Sequence, residues 1–399
     1  MRPVRAITAS LFVAAMVVTG CSAHRTERQA SPPVSSPTPS PVPPSPPAPP
    51  TPPRPTTWER LPAAPIAGRF GPAGVWTGHQ LLVWGGDSRG EAQTPLLDGA
   101  SYDPATGRWQ PIPPAPKGVH GSVPAAVWTG SRLLVWMGNA PDGSPVGASY
   151  DPARRSWQTI ASGPLGSRES FSTVWTGREL ILFGGTSGDA VASPTGAAYD
   201  PATGRWRLLP PAPFSRWPQP KAVWTGHEML VWGGYSVAAG KPVAVDSGAA
   251  YDPRTNRWRQ LARRGRPLLA AVWTGSRALV WDDTPGAGGA TTGALYDPAR
   301  DRWTPIAGGP AAARDLSGSV WTGTELLGWG SRNQVTAYDP SHDRWRVLPS
   351  APLATRGGRG RFGAATVWTG SQMVVWGGWT GAFRDAPFAD GAAFRPGTP

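Results

Sequence analysis

Six arginines and a histidine recur at one place in this chain. Arg69, His120, Arg168, Arg216, Arg266, Arg314 and Arg361 each stand six or seven residues ahead of the valine of a Val-Trp-Thr-Gly tetrapeptide. A guanidinium offers five N–H donors in a fixed fork that matches carboxylate or phosphate. One role for such a series is anion recognition. The other is scaffolding, with each side chain bonded to backbone of a neighbouring unit; the sequence leaves both open. Arg263, Arg264, Arg356 and Arg359 add charge close by. Four aromatics fall outside the repeated positions of the same segments: Phe214, Trp217, Tyr235 and Trp379. Aromatic faces beside Arg and Asp suit sugar stacking. Acids that could do acid–base work there are Asp87, Glu169, Asp246, Asp282, Asp283, Asp315, Asp385 and Asp390.

Other chemistry is excluded by composition. The 399 residues include one Cys, so an intrachain disulfide and a thiolate metal cluster have no ligands to build on, and the five His are spread along the chain, which argues against a multi-histidine centre. No cofactor or metal is expected. There is no phosphate-binding glycine loop, no His-Glu-x-x-His and no Gly-x-Ser-x-Gly. The formal charge of +13 draws anionic partners. Its arginines are dispersed among repeats and the N-terminus is an export address, which together argue against nucleic acid.

The elements that must position these residues come from repetition. Val-Trp-Thr-Gly begins at Val75, Val127, Val174, Val223, Val272, Val320 and Val367, at spacings of 47 to 52 residues. Eight residues after each of these tryptophans stands Trp84, Trp136, Phe183, Trp232, Trp281, Trp329 or Trp376. A Gly pair follows in four repeats, and Met137-Gly138, Asp282-Asp283 and Gly330-Ser331 replace it in the others. Tyr-Asp-Pro comes next in six repeats, with a Trp seven residues after the Tyr. Each unit reads as four short strands, a to d, with a tight Thr-Gly turn between a and b and an Asp-capped turn between c and d. Four-stranded units of this length in radial array are a β-propeller, all-β and seven-bladed. The last repeat stops after strand c, where Phe394-Arg395-Pro396 replaces Tyr-Asp-Pro. The missing strand d stands at the other end as Trp58-Glu59-Arg60-Leu61-Pro62, so the N-terminal strand around Trp58 is expected to close the ring. The strand-a and strand-b tryptophans are expected to pack between blades, and the Tyr-Asp-Pro aspartates to cap turns. The b–c and d–a loops vary in length, and they form the face where binding is expected.

A hydrophobic strand ending in Gly-Gly, then Tyr, then Trp seven positions on, resembles the kelch repeat. Arg69, 16 residues before Gly85, is similar to the Arg that opens that repeat. The resemblance spans about 57 to 396 and implies a kelch-type propeller, the fold of the galactose oxidase central domain. Copper chemistry of that kind needs a Cys-linked Tyr, a second Tyr and two His. Here the single Cys21 is far from the repeats and six of seven Tyr belong to them. Some kelch proteins use these arginines to hold acidic peptides, and sialic-acid epimerases share the propeller.

The N-terminus is read as an address. Arg2 and Arg5 precede an apolar run over 6–18, too short to span a bilayer as a mature helix. Val18-Thr19-Gly20-Cys21 resembles a bacterial lipoprotein lipobox, which implies cleavage before Cys21 and lipid on that residue. Between 32 and 55 stand 14 prolines, a composition of extended polyproline II spacers. The expected organisation is a signal peptide over 1–20, a lipidated Cys21 and Pro-rich tether over 21–56, and the propeller over 57–399. The chain is thus expected to be extracytoplasmic and lipid-anchored to the bacterial membrane. Its expected function is binding, without catalysis, of an anionic glycan or protein ligand on the loop face. The alternative is a carbohydrate-active enzyme, such as an isomerase or epimerase of acidic sugars.

Overall fold

The structure is a computed structural model. It describes residues 56–397 except 89–93, 118, 120–123, 138–145, 167, 187–192, 215–218, 234, 239–240, 245–246, 267, 269, 283–291, 314–315, 331, 359 and 383–384. Backbone alone is described at 146, 235–238, 241–244, 282 and 317. Residues 53–399 form one compact unit. Residues 1–55, Cys21 among them, lie outside the described residues. Among the described residues no helix is long and apolar enough to cross a membrane.

The unit is a seven-bladed β-propeller. Blade 1 orders its strands a to d as Ala73–Trp76, Leu81–Trp84, Gly99–Asp103 and Arg108–Ile112, all antiparallel. Five more blades repeat that order. The seventh takes its outer strand from the N-terminus: Thr57–Arg60 pairs with Gly391–Arg395, with Trp58 opposite Phe394. Strands a are innermost, each touching the next, and Ala365–Trp368 touches Ala73–Trp76 to complete the circle. Small residues permit that approach. A Cβ on Gly74 would stand 2.7 Å from the Cβ of Ala365.

Each turn is built by the residues that recur in it. In the a–b turn Thr77 Oγ1 accepts from Gln80 N at 2.9 Å and donates to its carbonyl at 3.1 Å, and every counterpart through Thr369 accepts the N–H three residues on in the same way. In the c–d turn a carboxylate oxygen accepts a backbone N–H two or three residues on: Asp103 from Ala105, Asp151 from Arg154, Asp200 from Ala202, Asp252 from Arg254, Asp297 from Ala299, Asp339 from Ser341. The Gly pair ends strand b. Gly86 has φ of +86°, and a Cβ there would lie 2.6 Å from Phe70 O. Strand b stops at its aromatic residue in the four paired blades and runs one residue further, to Met137, Asp282 and Gly330, in the three without a pair.

The core consists of seven clusters, one at each boundary between neighbouring blades. The strand-b aromatic of one blade meets the strand-d Trp of the next: Trp84 with Trp157, Trp136 with Trp206, Phe183 with Trp258, Trp232 with Trp303, Trp329 with Trp58, Trp376 with Trp109, at 4.7 to 5.9 Å between centroids. Every strand-d indole also donates Nε1–H to the carbonyl four residues beyond the corresponding Trp of the preceding blade. The bonds run Trp109 to Pro62, Trp157 to Pro113, Trp206 to Ala161, Trp258 to Pro210, Trp303 to Ala262, Trp345 to Ala307 and Trp58 to Pro349, at 2.8 to 3.0 Å. Each such bond contributes about 0.5–1.5 kcal/mol net, and each ring pair a similar amount beyond area burial. All these contacts lie within 53–399, so this unit holds its whole core and its own closure.

Candidate functional site

The b–c and d–a loops share one face, opposite the a–b and c–d turns. Of the seven positions in the basic series, Arg69, Arg168, Arg266 and Arg361 are described; His120, Arg216 and Arg314 lie outside the described residues. Arg69 and Arg361 are fully buried and Arg168 is 8% exposed. Their Nη1 donors go to carbonyls of their own blade. Arg69 Nη1 donates to Gly85 O at 3.2 Å and Asp98 O at 3.0 Å. Arg168 repeats this on Gly184 O and Thr195 O, and Arg361 on Gly377 O and Asp390 O. Each guanidinium therefore ties the end of strand b to the start of strand c.

Of the two roles left open above, these three side chains take up the scaffolding one, but the strand-b and strand-c carbonyls they hold belong to their own blade and not to a neighbour. The reason is geometric. An Arg 16 residues ahead of the first Gly faces the carbonyl of that Gly and a second carbonyl that also accepts the Gly N–H, Asp98 O from Gly85 N at 3.1 Å in blade 1. Aspartates complete the pairing, Asp98 at 3.0 Å from Arg69 and Asp390 at 2.8 Å from Arg361. Burial alone would raise the Asp390 pKa, but the hydrogen bond and charge of Arg361 outweigh it and hold the carboxyl below its ordinary value. Burial lowers the pKa of Arg361 and of Arg168. Arg356 and Arg361 both stand over the Phe388 ring, at 4.8 and 3.9 Å from its centroid, and Arg264 stands over Trp303 at 5.8 Å. Arg263 is exposed, and Arg359 is outside the described residues.

Arg266 differs from these three. It is exposed on the d–a loop entering blade 5, where Nη1 donates to Thr292 Oγ1 at 2.9 Å. Leu268, two residues on, is buried in the boundary between blades 4 and 5 together with Trp232. Directly opposite Trp232 across the sheet is Lys221, the first residue of the innermost strand Lys221–Trp224 at its loop-face end. The same position holds Ala73, Ala125, Ser172, Ala270, Gly318 and Ala365 in the other blades. Lys221 is half-buried and has no ion-pair partner among the described residues. Burial lowers its pKa. The sequence reading passed over Lys221, although a Lys in a column of Ala, Ser and Gly was a visible signal.

A second group sits where blade 7 meets blade 1. Phe70, Phe362 and Trp379 form a triangle of edge-to-face contacts at 5.5, 5.9 and 5.7 Å. All three are half-buried. Phe70 and Phe362 each follow a buried Arg, and their backbones pair with Asp87 and Trp379 beyond the Gly pairs. The Trp379 indole donates to Asp385 O at 2.8 Å. Trp379 thus stands with two phenylalanines that sequence reading missed because they occupy variable loop positions. Phe214 packs against the core between blades 3 and 4. Tyr235 begins a hairpin, Tyr235–Ala238 with Lys241–Ala244, inserted in the b–c loop of blade 4, and only its backbone is described. Trp217 lies outside the described residues.

Among the acids, Asp390 pairs with Arg361, and Asp385 accepts from Thr380 Oγ1 at 2.6 Å. Asp87 is fully buried, its backbone paired with Phe70 and Pro95, and Glu169 pairs with Thr186. The Asp282 side chain and the whole of Asp246, Asp283 and Asp315 lie outside the described residues. No three His, Cys, Asp or Glu side chains among the described residues are grouped to hold a metal.

Fold and site together define the class, a seven-bladed β-propeller with a cationic and an aromatic patch on its loop face. Compared with known proteins, the chain matches no family model and no curated protein.

Proposed function

We propose that this chain is a kelch-type lipoprotein, anchored to the outside of a bacterial membrane through Cys21, whose propeller binds an anionic ligand on its b–c/d–a face. The ligand class is an acidic glycan or an acidic protein loop. Lys221 carries this reading. It is a cation at the loop-face end of an innermost strand, without a counter-ion among the described residues, and the exposed Arg266 lies over the same blade boundary. A half-buried ammonium gains more from an incoming carboxylate than a solvated one does, because the contact is less screened. The aromatic triangle at the 7/1 boundary supplies an apolar surface on the same face. Asp385 and Asp390, both named above as candidate acids, are engaged by Thr380 and Arg361, which favours recognition over catalysis.

The test is binding of the 53–399 unit to arrays of acidic and neutral glycans and acidic peptides at low and high salt. Saturable binding to an anionic class is expected. It should weaken as screening shortens from about 10 Å at 0.1 M salt to about 3 Å at 1 M, and again in Lys221→Met with Arg266→Ala. Undiminished affinity in that double variant would sink the reading.

A further inference from the structure

On the a–b/c–d face, opposite the loops, six of the seven blade boundaries assemble equivalent positions, all but 6/7. They are the residue three after the turn Thr, the residue after the strand-d Trp, and, from the next blade, the strand-c aromatic and the residue five beyond it. At the 3/4 boundary they fill one another. Arg207 pairs with Glu179 at 2.6 Å and donates to the Tyr251 hydroxyl at 2.6 Å and Asn256 Oδ1 at 3.2 Å, while Tyr251 donates to Asn256 at 2.7 Å. At the 4/5 boundary Arg259 pairs with Glu228, and Tyr296 donates to Asp301. At the 5/6 boundary Tyr338 donates to Asp343. At the 1/2 boundary Arg155 crosses to donate to Pro111 O.

The 2/3 boundary is different. Arg132 stands where Glu179 would be, Gln158 replaces Arg207, and Gly204 replaces Asn256. What remains is a cavity of about 430 Å³, within the range of small-molecule pockets. Ser131, Arg132, Ser149, Gln158, Thr159 and Tyr199 give it polar walls, and Leu134 and Ile160 an apolar one. The Ser149 hydroxyl is buried with no hydrogen-bond partner, and the Tyr199 hydroxyl has none among the described residues. Leu134, Ser149 and Gln158 lie directly opposite one another across the sheet, so they share the face turned to Tyr199. Arg132 donates to Gln158 Oε1 at 2.9 Å and is 3.8 Å from Asp151, which Arg154 already holds at 2.8 Å. Two guanidiniums thus share one carboxylate, and no carboxylate lines the cavity. At the 7/1 boundary Gly107 also stands five residues after its Tyr, but there Glu59 follows the strand-d Trp, with the opposite charge.

We propose that the cavity between blades 2 and 3 binds a carboxylated monosaccharide, free or at the end of a glycan, with its carboxylate on Arg132, its hydroxyls on Ser149, Gln158 and Tyr199, and its C–H face on Leu134 and Ile160. The donors outnumber the acceptors and one side is apolar, which matches an oxygen-rich ring with one hydrophobic face. This site is separate from the loop face and does not depend on the reading given for it.

The test titrates the 53–399 unit with glucuronate, glucose and acetate, followed by NMR and calorimetry. Glucuronate is expected to bind saturably and more tightly than glucose or acetate. Gly204→Asn installs the residue that blade 4 uses at Asn256, where φ is +56° against +68° at Gly204, so the fold accepts it. That variant should unfold at an unchanged temperature and lose glucuronate affinity by about tenfold or more, as should Arg132→Gln, which removes a charge-assisted bond. Glucuronate affinity unchanged in Gly204→Asn, or no saturable binding in the parent, would overturn the proposal. Equal affinity for glucose would overturn the role given to Arg132. A glycan ending in the same sugar, added in competition, should displace the free acid if the end of a chain is accepted.

Discussion

At the residue scale, the repeats act as controls for one another. The strand-b indoles of Trp84, Trp232, Trp281, Trp329 and Trp376 are buried with Nε1–H unpartnered, and blade 3 carries Phe183 in that place. A buried unsatisfied donor costs about 1–3 kcal/mol. Trp84→Phe is therefore expected to change stability by no more than about 1 kcal/mol, the lost area offset by the removed N–H. Trp84→Ala, which leaves a void, should cost about 3–5 kcal/mol. Denaturant midpoints of the two variants decide this; an equal loss in both would show that the N–H carries no penalty. Lys221 permits a pH test. Its pKa is depressed by burial, so the folded state sheds this proton at lower pH than the unfolded chain does. Below both values the folded protein holds a disfavoured charge, and the penalty fades as pH rises through the folded pKa toward the unfolded value. Lys221→Met should thus stabilise the propeller at pH 7, with the gain shrinking as pH approaches 10, read from melting temperatures across that range.

At the element scale, the strand that closes the ring matters most. Thr57–Arg60 supplies blade 7 with its outer strand, a ring contact from Trp58 to Trp329 and the indole bond to Pro349. Starting the chain at Ala63 removes all three and bares the edge of Gly391–Arg395, an edge prone to pairing between chains. That truncation is expected to aggregate or to melt far below the parent, whereas Trp58→Phe should lose only the bond, about 0.5–1.5 kcal/mol. Size-exclusion chromatography and melting curves separate the two outcomes. A monomeric truncation with parental stability would show that closure through Trp58 is dispensable.

At the scale of the whole molecule, acid stability is shared by the c–d turns. Hydrogen bonds from Arg154 hold the Asp151 carboxyl below its ordinary pKa. Arg300 does the same for Asp297, and Ser341 followed by His342 for Asp339. A carboxyl depressed in the folded state adds stability above its unfolded pKa, near 3.9, and loses it as pH falls through the folded value. Stability should therefore be flat from about pH 5 to 7 and fall below about pH 4. Asn at 151, 297 and 339 together should flatten that acid limb while lowering the plateau. An acid limb unchanged in the triple variant would assign it to other groups.

The sequence alone determined the propeller, its seven blades, the closing strand at Trp58 and the capping role of the Tyr-Asp-Pro aspartates. Each rests on local patterns repeated six or seven times, and the ring follows from counting what the two ends lack. The roles of the basic series and of the loop aromatics were decided only by tertiary structure. Arg69 and Arg266 occupy the same place in the repeat, yet one is sealed against two carbonyls and the other is exposed. Burial depends on how loops from two blades fold over the position, which no single repeat encodes. The 2/3 cavity lay out of reach for the same reason. Gln158 and Gly204 are 46 residues apart and unremarkable until strand register sets them across one boundary, where residues too short to meet leave a space.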